Sequence, residues 1–227
     1  MINELYFQLE ITDEQLAYAN EIVDYSIKYH NVADIFKNDP NGFIRQREFR
    51  LTGSLGEIVF ADAYELQRPL KSFGAEDGQD NGQDFLYNYN GTICSFDLKT
   101  MARNDNNLKM NYVHNIPIYQ MLKEKSLTDY YFAINLHPKY PNYKYASFIG
   151  QVTKQSIIDG EIGKKFDENT TRLRSDGTQL TFTRSNCEVE YEHFMTPIIT
   201  DKIRELLGFK ICHIRPPSKF KNNESTR

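Results

Sequence analysis

The chain has 227 residues with 27 basic and 31 acidic side chains, which give a formal net charge of −4. Hydrophobic residues make up 40% of the chain and aromatic residues 13%, a share that supports a packed core and excludes wholesale disorder. No apolar run approaches the roughly 18 residues of a membrane helix, and the N-terminal residues lack the pattern of a signal peptide. Three widely spaced cysteines, Cys94, Cys187 and Cys212, make neither a disulfide framework nor a zinc-binding spacing. These features predict a soluble, cytoplasmic protein without a membrane association.

The charges are distributed unevenly along the chain. Between Asp62 and Asp97 seven acidic residues stand against two basic ones, whereas the segment 43–50 and the stretch from Lys210 onwards are basic. The net charge by itself does not indicate a nucleic-acid-binding protein. The pattern suits a metal site that must hold a polyanion, and it equally suits ordinary solvated faces.

Two helices are predicted in the N-terminal part of the chain. Thr12 begins a capping-box pattern in front of apolar residues at helical spacing, so residues 13–30 predict an amphipathic helix. A second apolar stripe predicts a helix over 46–64, with Pro69 beyond its end. Gly53 within this helix costs stability relative to alanine, which indicates either close approach by a backbone or ligand, or a role in packing.

The rest of the chain predicts strands with short helices between them. The predicted strands are 84–89, 92–100, 129–136, 144–152, 172–174 and 180–183. The predicted helices are 117–125, a short helix capped by Thr153, and 197–207 with Gly208 as its C-cap. This order predicts an α/β domain over residues 1–215, built around a central mixed β-sheet flanked by helices and followed by a polar tail at 216–227.

The strongest local signal is Asn90-Gly91 between two strand-like runs, which favours a two-residue type I′ turn. That turn fixes the register of the hairpin, so the numbers of facing residues sum to 181. Asp84 then faces Asp97, and strand alternation places Lys99 on the same face as Asp97.

Two acidic residues that face each other destabilise a sheet, and acids are depleted in strand interiors. The pair is compatible with an ordinary polar face on which Lys99 neutralises one aspartate. A divalent cation would also resolve the repulsion, since Mg²⁺ prefers hard oxygen ligands and commonly uses one or two carboxylates. The sequence therefore predicts a metal site on this hairpin.

Asp84, twelve intervening residues and then Asp97-Leu98-Lys99 resemble the PD-(D/E)xK nuclease motif. Glu57 stands on the preceding helix, where these families often place a further glutamate, and Gln83 stands at the position of the motif's proline. The resemblance covers residues 45–154. It implies a restriction-endonuclease-like core over about 45–160, with an N-terminal helix and a C-terminal elaboration of a β-hairpin and a helix.

The resemblance also implies the chemistry of the site. Asp84, Asp97 and the carbonyl of Leu98 would hold Mg²⁺, for which Mn²⁺ would substitute, and Lys99 would position the attacking water. Glu57 would support a second metal ion or orient that water. Gln120 is a further candidate, because some related nucleases use a glutamine on the helix after the catalytic strand.

The implied partner is DNA, in double-stranded form, and basic residues are candidate phosphate contacts. These candidates are Arg45, Arg47, Arg50, Lys154, Arg172 and Arg174, although exposed arginines on helices are usually just solvated. The leading hypothesis is a Mg²⁺-dependent DNA endonuclease of restriction type or from a phage or mobile element. The alternatives are a structure-selective or exonucleolytic repair or recombination nuclease, and a non-catalytic DNA-binding module on the same fold. A palindromic target would match a twofold homodimer.

Overall fold

The computed structural model describes residues 6–29, 40–70, 84–89, 91–104, 112–122, 127–173 and 177–208. The strands are β1 (Phe7–Glu10), β2 (Phe85–Tyr89), β3 (Thr92–Ala102), β4 (Val113–Pro117), β5 (Tyr130–His137), β6 (Tyr145–Thr153), β7 (Lys164–Phe166), β8 (Thr171–Leu173), β9 (Gln179–Thr181) and β10 (Asn186–Glu190). The helices are α1 (Asp13–Tyr29), α2 (Gly42–Ala63), α3 (Ile118–Met121), α4 (Lys154–Ile158) and α5 (Asp201–Leu207).

The central sheet has five strands in the order β1-β6-β5-β3-β2. Strands β3 and β5 run parallel, and the other neighbouring pairs are antiparallel, so the sheet is mixed. The α/β class and the central mixed sheet predicted from the sequence are therefore confirmed. A second sheet of three strands has the order β4-β10-β7, and β8 pairs with β9 alone.

Alternate residues of the central sheet enter two different cores. Phe132 and Ile134 of β5 pack with α1 and α2 on one face. Tyr131 and Ala133 of the same strand pack with β4 and β10 on the other face. Because side chains alternate along a strand, the two helices and the three-stranded sheet cover opposite faces of the central sheet.

The N-terminal helix forms as its capping pattern predicts. The backbone N–H of Gln15 donates to Thr12 Oγ1 at 3.1 Å, and the N–H of Thr12 donates to Gln15 Oε1 at 3.0 Å. This reciprocal capping box satisfies two of the N–H groups that a helix start leaves without a partner. None of the described helices combines the length and the apolar character that crossing a bilayer requires.

The hairpin of β2 and β3 has the register that the Asn-Gly turn predicts. Pairs run from Phe85 with Phe96 to Tyr89 with Thr92, and the two numbers of each pair sum to 181. Gly91 has φ of +83°, as a type I′ turn requires, whereas Asn90 lies outside the described residues. Strand β3 continues to Ala102, two residues beyond the predicted end, because its second half pairs with β5.

Other differences between prediction and structure come from tertiary contacts. Strands β1, β4, β7 and β10 were not predicted, since each is short and is stabilised by a partner distant in the sequence. Within the predicted helix 117–125, Pro117 ends strand β4, α3 spans Ile118–Met121, and residues 123–125 lie outside the described residues. Helix α5 begins at Asp201 rather than at 197, where Thr200 caps it by accepting from the N–H of Ile203 at 3.2 Å. The predicted tail 216–227 lies outside the described residues.

Helix α2 crosses β3 at a glycine, but the contact is made by Gly56 and not by Gly53. A Cβ atom at Gly56 would lie 1.9 Å from Thr100 Oγ1, so no larger residue fits without displacing the helix. No described residue comes within 4 Å of the position that a Cβ would take at Gly53. The packing role considered for Gly53 is therefore wrong, and Gly56 performs it.

The two sheets are joined next to the C-terminal end of β3 by a partly buried polar network. Arg103 donates from Nε to Asn135 Oδ1 at 2.9 Å and from Nη2 to the carbonyl of Val113 at 2.6 Å. Its guanidinium also lies over the ring of Tyr112, 4.4 Å from the ring centroid. This network holds the start of β4 against β3, and so sets the position of α3, which follows β4 directly.

Candidate active site

The predicted acidic residues come from three different elements that meet at β3. Asp84 immediately precedes β2, Asp97 lies on β3, and Glu57 lies on α2 next to the contact between Gly56 and Thr100. The paired register ends at Phe85 with Phe96, and the backbone N–H of Asp84 donates to the Phe96 carbonyl at 2.9 Å, so the predicted facing pair of Asp84 with Asp97 is not formed.

The carboxylate of Asp84 is held by the main chain of β3. Its Oδ2 atom accepts a hydrogen bond of 2.6 Å from the backbone N–H of Leu98. In an extended strand the N–H and C=O of one residue point toward the same edge. The Leu98 carbonyl therefore points toward the edge where Asp84 lies, as its predicted role as a metal ligand requires.

The three acidic side chains interact electrostatically. Burial raises the pKa of the Asp84 carboxyl well above its ordinary range, and the negative charges of Glu57 and Asp97 raise this pKa further. The positive charge of Lys99 and the hydrogen bond from the Leu98 N–H offset part of this effect. A buried carboxyl beside two further carboxylates is the environment that a bound cation would relieve.

Lys99 is fixed by contacts on several sides. Its Nζ atom donates to Asp97 Oδ1 at 2.6 Å and to Gln120 Oε1 at 3.0 Å. The same atom lies 5.5 Å from the ring centroid of Tyr131, the residue of β5 that pairs with Asp97. The side chains of Lys99 and Asp97 are only 16% and 18% exposed, so their ion pair is largely removed from solvent.

Gln120 and Tyr131 differ in how far the sequence could predict them. Gln120 contacts Lys99, but strand β4 stands between β3 and the helix α3 that carries it, so α3 is not the next element after β3. Tyr131 was missed, because its place under Lys99 depends on the parallel pairing of β3 with β5. No local pattern in the sequence reports a pairing between strands that are so far apart.

The donor set fits a hard divalent cation, since it consists of carboxylate and carbonyl oxygens. The ligand atoms of Glu57, Asp84 and Asp97 do not all lie within 4.8 Å of one another. A tighter trio among the described residues is formed by Glu190, Glu192 and His193, but its two glutamates are exposed and ordinary solvation accounts for them.

The structure places the three predicted DNA-contacting arginines of α2 in its first turns, and two of them contact α1. Arg47 forms an ion pair with Asp24 and donates to Asn20 Oδ1 at 2.9 Å. Arg50 donates to Ser26 Oγ at 2.7 Å, and burial lowers its pKa. Arg45 is exposed.

The remaining predicted contacts lie beyond the central sheet or outside the described residues. Arg172 on β8 donates from Nε to Glu188 Oε1 at 2.8 Å, and Glu188 is buried. Lys154 begins helix α4, where its backbone N–H donates to the Asp129 carbonyl at 2.8 Å. Arg174 lies outside the described residues. The structure thus joins Arg47 and Arg172 to carboxylates of the protein itself, and their contact with DNA stays a prediction.

Comparisons of the chain with protein-family models, with curated proteins and with solved structures give no match. The functional argument therefore rests on the residues and geometry of the site.

Replacing Asp84 with asparagine is expected to stabilise the metal-free protein at neutral pH. The asparagine keeps an acceptor for the Leu98 N–H but removes a buried negative charge that Glu57 and Asp97 oppose. The melting temperature should rise by at least about 2 °C, which corresponds to about 1 kcal/mol in a chain of this size. Thermal unfolding followed by circular dichroism in EDTA measures this change.

The pH dependence of this difference in melting temperature follows from the direction in which folding shifts the pKa of Asp84. A carboxyl whose pKa is raised on folding contributes stability that is fully present below its unfolded pKa, about 3.9, and is lost as pH rises through the folded pKa. The advantage of Asp84→Asn should therefore be largest at neutral and alkaline pH and vanish toward pH 4. A melting temperature of Asp84→Asn below that of the wild type at pH 7 would show that the charge of Asp84 does not destabilise the folded state.

Proposed function

We propose that this protein is a divalent-metal-dependent deoxyribonuclease that hydrolyses phosphodiester bonds in double-stranded DNA. In its most specific form the proposal is an endonuclease of restriction type, or from a phage or mobile element, on a restriction-endonuclease-like core. The observation that carries it is the meeting of Glu57, Asp84 and Asp97 beside Lys99 on the β2–β3 hairpin and the helix that crosses it. The mixed sheet with α2 packed against β3 supports the proposed core.

The oxygen ligands in the proposal are the carboxylates of Asp84 and Asp97 and the carbonyl of Leu98. Glu57 supplies a further carboxylate from α2, which would complete a second site or orient a water molecule. Mg²⁺ fits this hard oxygen set, and Mn²⁺ would substitute. Such a cation, when bound, polarises the phosphate and lowers the pKa of an attacking water.

The protein's own groups position the reactants in this proposal. Lys99 would orient the attacking water and offset the negative charge that develops on the phosphate. Its ammonium group is held between Asp97 and Gln120, above the ring of Tyr131, and so is already oriented before substrate binds. Preorganised charge of this kind stabilises a transition state without reorganisation during the reaction.

The test is the cleavage of a supercoiled plasmid by the wild type and by Asp97→Asn, each with Mg²⁺ and with EDTA. We expect cleavage by the wild type with Mg²⁺, none with EDTA, and a rate for Asp97→Asn reduced to the level of the EDTA sample. Asp159→Asn is the matched control, because Asp159 follows α4 and its side chain accepts a surface hydrogen bond from Gln155. This variant should cleave like the wild type.

The products separate the proposed function from the alternatives. Discrete fragments support a restriction-type endonuclease, and degradation that requires a DNA end supports an exonuclease. A binding module would shift DNA in gels with the same affinity before and after Asp97→Asn and would cut nothing. Intact plasmid, linear duplex and single strands with both Mg²⁺ and Mn²⁺ would overturn the proposal.

A further inference from the structure

The loop between β9 and β10 holds Arg184 in a defined place beside helix α3. On one side of the loop Phe182 is buried and its ring stacks on Phe166, with 4.5 Å between the ring centroids. On the other side the Ser185 carbonyl accepts a hydrogen bond of 3.1 Å from the N–H of Ile118, the first residue of α3. The backbone on both sides of Arg184 is therefore anchored.

Arg184 differs from three other described arginines in the partners of its positive charge. Arg47, Arg68 and Arg172 each form an ion pair with a carboxylate of the protein. Arg184 is exposed and forms no ion pair or side-chain hydrogen bond with any described residue. Its guanidinium instead lies over the ring of Tyr119, 4.8 Å from the ring centroid, so the ring orients the group while the residue stays exposed.

A short series of contacts joins Arg184 to the candidate active site. Tyr119 precedes Gln120 in α3, and Gln120 Nε2 lies 3.4 Å from the Tyr119 hydroxyl. Gln120 Oε1 in turn accepts the hydrogen bond of 3.0 Å from Lys99 Nζ. Only the side chains of Tyr119 and Gln120 thus separate the guanidinium of Arg184 from the lysine of the site.

We infer that Arg184 binds a backbone phosphate of the DNA two or three nucleotides from the scissile phosphate, an inference that rests on the proposed function. Glu57, Asp84 and Asp97 repel a polyanion, so substrate binding needs positive charge close to the site. A guanidinium that forms no ion pair with the described residues can match a phosphate through parallel hydrogen bonds. A DNA strand advances about 3.4 Å along the helix axis per nucleotide, which brings a phosphate two or three nucleotides away into the range of this side chain.

The inference is tested by the binding of a fluorescent DNA duplex to Asp84→Asn, whose loss of cleavage keeps the duplex intact. We expect Arg184→Ala in this background to weaken binding roughly tenfold and to reduce the slope of log binding constant against log salt by about 1. Arg184→Lys keeps the charge but loses the planar stack, and Tyr119→Leu removes the ring beneath it. Both variants should weaken binding less than Arg184→Ala does.

The control is Lys202→Ala, which removes a positive charge from α5, the helix that packs against β1 at the opposite edge of the central sheet. Its salt slope should equal that of the parent. In the cleavage-competent protein Arg184→Ala should raise KM for DNA and leave kcat unchanged. An unchanged salt slope for Arg184→Ala, with the parent binding and the wild type cleaving DNA, overturns the inference and leaves the proposed function standing. Absence of both binding and cleavage by the wild type overturns both.

Discussion

Replacing Lys99 with alanine is expected to reduce the rate of Mg²⁺-dependent DNA cleavage by roughly 100- to 1,000-fold, the usual cost of removing one preorganised electrostatic group. Lys99 forms an ion pair with Asp97, its charge lowers the pKa of Asp84, and Asp97 and Gln120 fix its position. The loss should appear in kcat rather than in KM, because this charge acts on the transition state. Single-turnover cleavage of a labelled duplex measures the change.

The same substitution also changes the response of stability to Mg²⁺. Lys99 lowers the pKa of Asp84, so its removal leaves the carboxylates with less compensation in the metal-free state. The melting temperature of Lys99→Ala in EDTA should fall below that of the wild type. Saturating Mg²⁺ should raise the melting temperature of the variant by more than it raises that of the wild type. Lys202→Ala is the control for the loss of one lysine. Cleavage by Lys99→Ala at the wild-type rate would contradict the assigned role.

The second large effect is expected for Gly56→Ala, which should destabilise the protein although alanine is the better helix former. The new Cβ would lie 1.9 Å from Thr100 Oγ1 and 2.8 Å from Thr100 Cβ, so α2 must move away from β3. Overpacking of this kind costs about 1–3 kcal/mol, which lowers the melting temperature of a chain of this size by about 2–4 °C per kcal/mol. Cleavage should fall as well, because the helix carries Glu57 next to this contact.

Gly53→Ala is the matched control on the same helix. No described residue lies within 4 Å of its added Cβ, so the gain in helix propensity, up to about 1 kcal/mol, should be realised. Urea unfolding of the two variants should therefore give changes of opposite sign. Equal or greater stability of Gly56→Ala relative to the wild type would show that α2 does not pack against β3 as closely as described.

Features that depend on neighbouring residues could be predicted from the sequence. The capping box at Thr12 and the Asn-Gly turn act over two to four residues, so their side chains and backbone preferences determine the start of α1 and the register of β2 with β3. That register predicts Asp84 opposite Asp97 and Lys99 on the face of Asp97, and in the structure Asp84 instead bonds the main chain of Phe96 and Leu98 beside them. Most of the candidate site therefore follows from one turn.

Features that depend on distant pairings could not be predicted. The arginines illustrate this limit. The sequence around Arg47 and Arg172 led to both being predicted as phosphate contacts, but in the fold they form ion pairs with Asp24 and Glu188. Arg184 shows the reverse, since nothing near it in the sequence indicates that Tyr119 would orient its guanidinium.

The sequence by itself thus determined the α/β class, the hairpin that presents Asp84, Asp97 and Lys99, and the helix that carries Glu57. Only the tertiary structure decided that Gly56 brings this helix against β3, and that Tyr131 and Gln120 hold Lys99. The physical reason is the separation along the sequence of the residues that interact. Caps and turns are stabilised by atoms a few residues apart, whereas these contacts arise only when separate strands and helices pack together.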